Sequence, residues 1–313
     1  MQRVDQWIGG ERLASADTFE DLSPIDETVI AAVARGGREE AEAAIEVAAR
    51  AFPAWSRTPR ENRAAVLHAI ADGIELRLEE LATVETRDNG ALLRSHRRAV
   101  IPRAAHNFRF FADWLLKLNH EDFETRRHEN HVSWDPAGVS VCITPWNAPL
   151  MLATWKVAPA LAAGNTVVLK PAEWSPLTAS LLADIAKEAE LPDGVLNVVQ
   201  GIGEEVGPHL IGDHRVSRVS FTGSVETGRL IAAEAGKNLT PVSLELGGKS
   251  PFVVFADADL EAAVATAVEQ YDNAGQVCLA GTRLLVQEPA YDAFLERFLE
   301  KARLLVQGDP RDE

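Results

Sequence analysis

Only two cysteines, Cys142 and Cys278, occur in 313 residues. That is a poor disulfide framework for a chain of this size, and a reduced, cytoplasmic setting is the expectation. Blocks of Lys and Arg are missing too: 31 basic residues face 47 acidic ones, for a formal charge of −16. With no basic stripe to follow a phosphate backbone, nucleic acid is not an expected partner. The opening MQRVDQWIGGERL has no basic segment leading into an apolar run, so it does not read as a signal peptide. Only the uncharged stretch from Pro136 to Trp155 imitates a membrane span. Pro136, Pro145 and Pro149 would break such a helix and leave backbone groups unpaired in lipid, so no membrane span is expected. Internal repeats and low-complexity segments are absent. So is a G-x-G-x-x-G fingerprint after the first apolar strand.

A hydrophobic fraction of 46% supports a large buried core, and the length predicts two domains. Asp17 to Ala34 reads as an irregular opening with short strands. From Glu39 to about Leu118 the pattern is helical: Ile45, Ala48, Ala49 and Phe52 share a face, as do Leu67, Ile70 and Ile74, and Phe108, Phe111 and Leu115. Pro53, Pro59 and Asn89-Gly90 punctuate these helices. Phe123 to Asp135 is polar and predicts an exposed hairpin or arm.

The rhythm then changes. Apolar strands Val139–Ile143, Thr166–Lys170, Val195–Val199 and Arg218–Phe221 alternate with helices at Pro149–Ala163, Pro176–Ala189, Glu204–Ile211 and Val225–Ala235. Continuous apolar strands separated by helices predict a parallel sheet covered on both faces. A second unit begins near Pro251, with strand FVVF, helix Asp259–Gln270, a loop around Cys278, strand TRLLVQ and helix Ala290–Leu305.

Such sheets bind ligands beyond the carboxyl ends of their strands. Thr144-Pro145-Trp146-Asn147, Lys170-Pro171-Ala172-Glu173 and Thr222-Gly223-Ser224 stand at those ends. Phe221 to Ser224 with Gly228 reads as a strand feeding a small-residue turn at a helix N-terminus, where free N–H groups favour a pyrophosphate. A purely structural turn satisfies the same pattern. Gly201-Ile-Gly203 with Gly207, after the third strand, has the wrong spacing for a dinucleotide fingerprint and serves equally as a tight strand-to-helix turn. Glu245, in Val242-Ser-Leu-Glu-Leu-Gly-Gly248, is either an exposed strand end or a general base whose burial beside Leu244 and Leu246 disfavours its charged form. A lone cysteine such as Cys278 is more often an inert buried side chain. The glycines flanking it, Gly275 and Gly281, point instead to a loop where backbone approaches a ligand closely.

Together these segments resemble the aldehyde dehydrogenase family. The resemblance rests on P-W-N-x-P (Pro145–Pro149), A-P-A-L-A-A-G-N-T-V-V-L-K-P-A-E (Ala158–Glu173), F-T-G-S (Phe221–Ser224), L-E-L-G-G-K-S-P (Leu244–Pro251) and G-Q-x-C (Gly275–Cys278). It runs from near residue 17 to the last residue. It implies oxidation of an aldehyde to a carboxylic acid through a cysteine thioester, with NAD as cofactor, NADP being the second choice. Cys278 falls on the nucleophile, Glu245 on the base and Asn147 on the amide that stabilises the oxyanion. Lys170, counted also with the catalytic group, and Glu173 fall on the pair that holds the adenosine ribose. Ser224 falls on the pyrophosphate turn. Ile143, Thr144, Pro145, Trp146, Ala172, Gly203, Gly207, Phe221, Thr222, Gly223, Gly228, Leu246 and Gly247 are expected to line the cofactor, and no metal is expected. The stretch Trp155–Pro176 is most similar to branches acting on muconic-type semialdehydes.

The resemblance implies an α/β fold: a Rossmann-like parallel sheet with helices on both faces, plus the first part of a second α/β catalytic domain. The expected segments are an N-terminal helical part of the cofactor-binding domain (1–122), an oligomerisation arm (123–136), a Rossmann-like NAD-binding core (137–247) and an incomplete catalytic domain (248–313). A homodimer or homotetramer is implied for a full-length chain. The sequence also departs from the family. The spacing from Glu245 to Cys278 is one residue short, Tyr271-Asp272 stands where aromatic residues are commoner, and no E-x-F-G-P segment is present. The chain therefore reads as C-terminally truncated. Two other readings stay open: an inactive cofactor-binding or assembly subunit, and a relative that passes its thioester to coenzyme A. Glu245 argues against the second, because such relatives commonly lack a water-activating acid there.

Overall fold

The computed structural model describes residues 2–312; Met1 and Glu313, the outermost positions of the expected first and last segments, lie outside them. The chain opens with three short strands, β1 (Gln2–Val4), β2 (Gln6–Ile8) and β3 (Glu11–Leu13), followed by β4 (Thr18–Leu22) and β5 (Val29–Ala34). Helices α1 (Arg38–Trp55), α2 (Arg60–Leu76) and α3 (Leu78–Asn89) come next. A short helix, α4 (Leu93–Ser95), runs through a wide turn at His96–Val100 into α5 (Ile101–Lys117). Pro53 does not end α1 as expected. It sits in the final turn, where the helix is already closing against the loop that leads to Pro59.

The polar segment is a hairpin, β6 (Glu121–Thr125) against β7 (His128–Val132), and most of its side chains face solvent. The alternating region follows: β8 (Val139–Ile143), α6 (Pro149–Ala162), β9 (Thr166–Lys170), α7 (Leu177–Glu188), β10 (Leu196–Val198), α8 (Gly203–Ile211), β11 (Val216–Gly223), α9 (Val225–Lys237) and β12 (Val242–Leu246). Gly164 ends α6 with φ of +88°, a left-handed turn that a side chain would strain.

These strands form one seven-stranded sheet in the order β12-β11-β8-β9-β10-β2-β3. The five strands from the alternating region are mutually parallel, while β2 and β3 join antiparallel at the edge. Successive residues of a strand face opposite sides, so the strands feed two cores. Cys142, Val167 and Leu169 pack with α2, α5, α6 and α7. Val139, Val141 and Val168 pack with α1, α8 and α9. The chain moves from β8 through β9 to β10 on one side, then returns to place β11 and β12 on the other. The strand order therefore reverses between β8 and β11, and a crevice opens beyond their carboxyl ends.

A second, smaller unit pairs β13 (Pro251–Val254) with β14 (Arg283–Val286) in parallel. Between them lie α10 (Leu260–Glu269) and a loop carrying Cys278, and α11 (Glu288–Ala302) follows. Asp259 is the cap of α10 rather than its first turn, accepting from the N–H groups of Glu261 and Ala262 at 3.0 and 3.1 Å. Val254, Val264, Ala267, Phe294 and Phe298 make this unit's own core.

Candidate active site

The carboxyl ends of β8 and β11 lie side by side, with Ile143 paired to Phe221. The turn Thr144–Asn147 leaves one and the turn Thr222–Ser224 leaves the other, so the crevice is bordered by the two segments expected there. Ser224 caps α9, its hydroxyl accepting from the Thr227 N–H at 3.0 Å. The side chain thus satisfies one amide of the first turn while the helix keeps its positive end toward the crevice. Beyond it is an open cleft of about 580 Å³ lined by Ser224, Val225, Gly247, Gly248, Lys249 and Arg283. Gly247 donates its N–H to the Gly223 carbonyl at 3.0 Å, which closes the two turns on each other. Phe221 and Gly228 are buried beneath this surface, Gly228 against Leu246.

Lys170 and Glu173 form an ion pair at 2.9 Å. Burial pulls the Lys170 ammonium below its ordinary value, and the Glu173 carboxylate partly offsets this. Burial pushes Glu173 up, but the charge and hydrogen bond of Lys170, with help from the Gly203 N–H, outweigh it and leave the carboxyl below its usual range. An added Cβ on Gly203 would lie 3.7 Å from both Lys170 Nζ and Glu173 Oε2, so the start of α8 closes over the pair. Ala172 is buried beside them, whereas Gly207 is buried one turn inside α8, where an added Cβ would meet nothing within 4 Å. Thr144 is buried next to this pair in the sheet, its N–H on the Lys170 carbonyl, and its hydroxyl has no partner. An ion pair and a capped helix N-terminus on one rim suit a dinucleotide: an ammonium and a carboxylate for the ribose hydroxyls and amides for the phosphates. Pro145 is half-buried and Trp146 exposed on the same turn.

Asn147 ties the two units together. Its Nδ2 donates to the Gln276 carbonyl at 2.7 Å, two residues before Cys278. Its own carbonyl accepts from Asn89 and Asn273 side chains, each at 3.3 Å. The loop reaching Cys278 is wound tightly: Asn273, Ala274 and Gly275 are all left-handed, with φ of 49°, 55° and 74°. Only glycine adopts that region freely, so two of the three are strained, and the Asn147 contacts hold them there. Cys278 itself is exposed. Cys142 is buried in β8, and burial pushes its thiol up to about 12 despite the Lys156 charge nearby.

Glu245 is not buried as expected; it is exposed on β12. The expectation overlooked strand alternation. Val242, Leu244 and Leu246 pack toward the α8–α9 core, so Glu245 between them points to the opposite face. That face holds Thr222, its partner in register, and the charge of Lys156. Lys156 was missed in the sequence. It sits on α6, 8% exposed, with Nζ 3.1 Å from Ser220 Oγ. Burial lowers its ammonium, and the charge of Glu245 acts in the other direction. A lysine within an otherwise largely apolar helix was the available signal.

Residues 12–313 match the profile of the Aldehyde dehydrogenase family. The chain belongs to that family. It is 42% identical over 314 residues to a 5-carboxymethyl-2-hydroxymuconate semialdehyde dehydrogenase of Escherichia coli, covering 100% of this chain and 66% of the relative. HpcC from Thermus thermophilus superposes with a TM-score of 0.94 at 45% identity, covering 99% of this chain and 61% of that one. PnpE from Pseudomonas sp. WBC-3, solved with nicotinamide adenine dinucleotide, superposes with a TM-score of 0.95 at 39% identity, covering 100% of this chain and 65% of that one. The chain thus spans about two thirds of the length of these aldehyde dehydrogenase relatives. Among the described residues, no helix is long and apolar enough to cross a membrane, and no group of three or more His, Cys, Asp and Glu could hold a metal.

Proposed function

We propose that the whole protein is an NAD-dependent aldehyde dehydrogenase that oxidises a muconic-type semialdehyde to its carboxylic acid through a thioester on Cys278. The observation that carries this reading is the Asn147–Gln276 hydrogen bond, which brings a side-chain amide from the cofactor crevice against the loop of an exposed cysteine. Of the two thiols, Cys142 is disqualified by burial, since a thiol pushed up to about 12 supplies almost no thiolate at neutral pH.

The Cys278 thiolate attacks the aldehyde carbon and forms a tetrahedral adduct whose oxygen carries the negative charge. One hydrogen of the Asn147 amide is spent on the Gln276 carbonyl, which fixes the plane of the amide and leaves the second to meet that oxygen. Held by the Lys170–Glu173 pair and the Ser224 turn, NAD would supply the hydride acceptor needed for collapse of the adduct to the thioester. Glu245, exposed at the end of β12, takes a proton from the water that cleaves the thioester. Lys156, buried one strand away, places a positive charge on the sheet face that Glu245 occupies.

Lys170 and Glu173 serve the ribose, the ammonium and carboxylate each with hydrogen-bonding capacity beyond their mutual contact. A carboxylate there repels a 2′-phosphate, which favours NAD over NADP. The relative from Escherichia coli and its name support a muconic semialdehyde as substrate class. An assembly of two or four copies through the exposed hairpin is part of the same reading. The test is a calorimetric titration of the chain with NAD, alone and as Lys170→Ala. Micromolar binding that Lys170→Ala abolishes is expected; binding indifferent to that change would remove the pair from the cofactor site.

A further inference from the structure

The C-terminal half of α3 holds carboxylates that the reaction does not use. Glu85 is wholly buried, and its Oε2 accepts from the Leu150 N–H at 3.1 Å and the Thr178 hydroxyl at 2.6 Å. Leu150 is the second residue of α6, and Pro149 before it has no N–H to offer. Thr178 is the second residue of α7. One oxygen therefore joins the first turns of two helices whose N-termini both present partial positive charge. Those helices follow directly from the two turns at the crevice rim: Thr144–Ala148 leads into α6, and Pro171–Pro176 leads into α7.

Neighbouring contacts support the join, and the others from α3 each reach only one side. Asp88, nearly one turn further along α3, accepts from the Leu177 N–H at 2.9 Å. Asn89 donates to the Asn147 carbonyl at 3.3 Å. Ser175 donates to the Trp146 carbonyl at 3.1 Å, linking the turns at their tips. Glu85 links them at their bases.

We propose that Glu85 is a positioning residue that holds the Asn147 turn and the Lys170–Glu173 turn at a fixed separation by bracing α6 and α7 together. The proposal rests on the reading that Lys170 and Glu173 bind the ribose of NAD. The other oxygen of Glu85, Oε1, has no hydrogen-bond partner, and Nδ1 of buried His96 lies 3.6 Å from it. Asp88 on its own helix and, behind Asp88, Asp21 on β4 are the other ionisable groups around it. Bracing requires an acceptor for two donors and no charge. A glutamine meets that need: its carbonyl oxygen takes the Leu150 and Thr178 bonds, and its NH2 group fills the place of the orphaned oxygen, within reach of His96.

The test uses the 313-residue chain, with NAD titrated calorimetrically and backbone hydrogen exchange followed at 144–149 and 171–176. Glu85→Ala removes the acceptor, and exchange in both turns should accelerate together while NAD binds roughly three- to tenfold more weakly, the effect of about one lost hydrogen bond. Glu85→Gln should restore both readouts to within about twofold of the parent, while Glu85→Met, of similar size but without the acceptor, should behave like Glu85→Ala, which simple loss of packing at this site does not predict. Thr178→Val deletes a single donor, so it decides the matter if Glu85→Ala does not fold; faster exchange at 171–176 with weaker NAD binding is expected. Unchanged exchange in Glu85→Ala, or in Thr178→Val where the alanine variant is unfolded, overturns the brace, as does failure of Glu85→Gln to restore it. Glu173→Ala separates the two claims. If it binds NAD like the parent, the ribose reading falls, while coordinated exchange in both turns still decides the brace.

Discussion

Replacing Glu85 by Gln should make the protein more stable at pH 8 than the parent, and the advantage should disappear in acid. Burial raises the Glu85 carboxyl from 4.5 to about 7, with the Thr178 and Leu150 hydrogen bonds pulling weakly the other way. That rise corresponds to about 3 kcal/mol of penalty for holding the ionised form in the fold. Because the folded value lies above the unfolded one, the stabilisation from the neutral carboxyl is complete below about pH 4.5. It is lost as pH rises through 7. Glutamine keeps the shape and the acceptor but cannot ionise, so it carries no such loss. His96, pulled down to about 4 by burial, adds its own pH dependence, as do Asp21 and Asp88. Those groups are present in both proteins, and what remains of them in the difference is the part that the Glu85 charge itself imposes on Asp88. Urea unfolding of the two proteins at pH 5, 6, 7 and 8 gives that difference directly. It should grow from about 1 kcal/mol at pH 5 toward about 3 kcal/mol at pH 8, most of it appearing between pH 4.5 and 7. A difference that stays flat with pH, or a variant less stable than the parent at pH 8, would refute the argument that Glu85 is buried with a neutral preference.

Other outcomes follow from the same structure. Iodoacetamide at pH 7.5 should alkylate Cys278 and leave Cys142 unmodified until the chain is unfolded, because a thiol pushed up to about 12 is ionised only about once in 30,000 at that pH; peptide mass mapping reads this, and early labelling of Cys142 would contradict it. NADP should bind at least tenfold more weakly than NAD in calorimetric titrations, and Glu173→Gln should narrow that gap by removing the charge that opposes a 2′-phosphate. Equal affinities in the parent would remove Glu173 from the cofactor argument.

Where one physical signal dominated, the sequence was legible to the residue. Strands β8 and β9 are buried on both faces, so their apolar runs end where the strands end, and α6 is marked by Pro149 at its start and Gly164 just beyond its end. The rim residues were readable because the sheet rule places ligands at strand ends, and Thr144, Lys170 and Ser224 all stand there. Strands β2 and β3, three residues each, join the sheet by long-range pairing that no local pattern announces. Glu245 was assigned the wrong surroundings because its sequence neighbours Leu244 and Leu246 face the other side of β12. Asn273 and Ala274 adopt left-handed backbone under tertiary restraint by Asn147, and nothing in an alanine's chemistry foretells it. The buried Glu85, Asp88 and His96 read as ordinary polar positions on helix faces, since the helix N-termini that receive the carboxylates are supplied by segments some 65 to 90 residues away.

The central claim is that Cys278 carries a thioester which Glu245 directs water to cleave. Its most direct test is intact-mass analysis of Glu245→Gln after mixing with NAD and a muconic-type semialdehyde, with absorbance of the reduced cofactor followed in the same sample. Attack and one round of oxidation need no base acting on water, so the adduct should persist. The account predicts an acyl mass on the peptide containing Cys278, matched one for one by reduced cofactor and absent from Cys278→Ala. An acyl group on Cys142, reduced cofactor without any adduct, or a steady rate equal to that of the unsubstituted protein would contradict it.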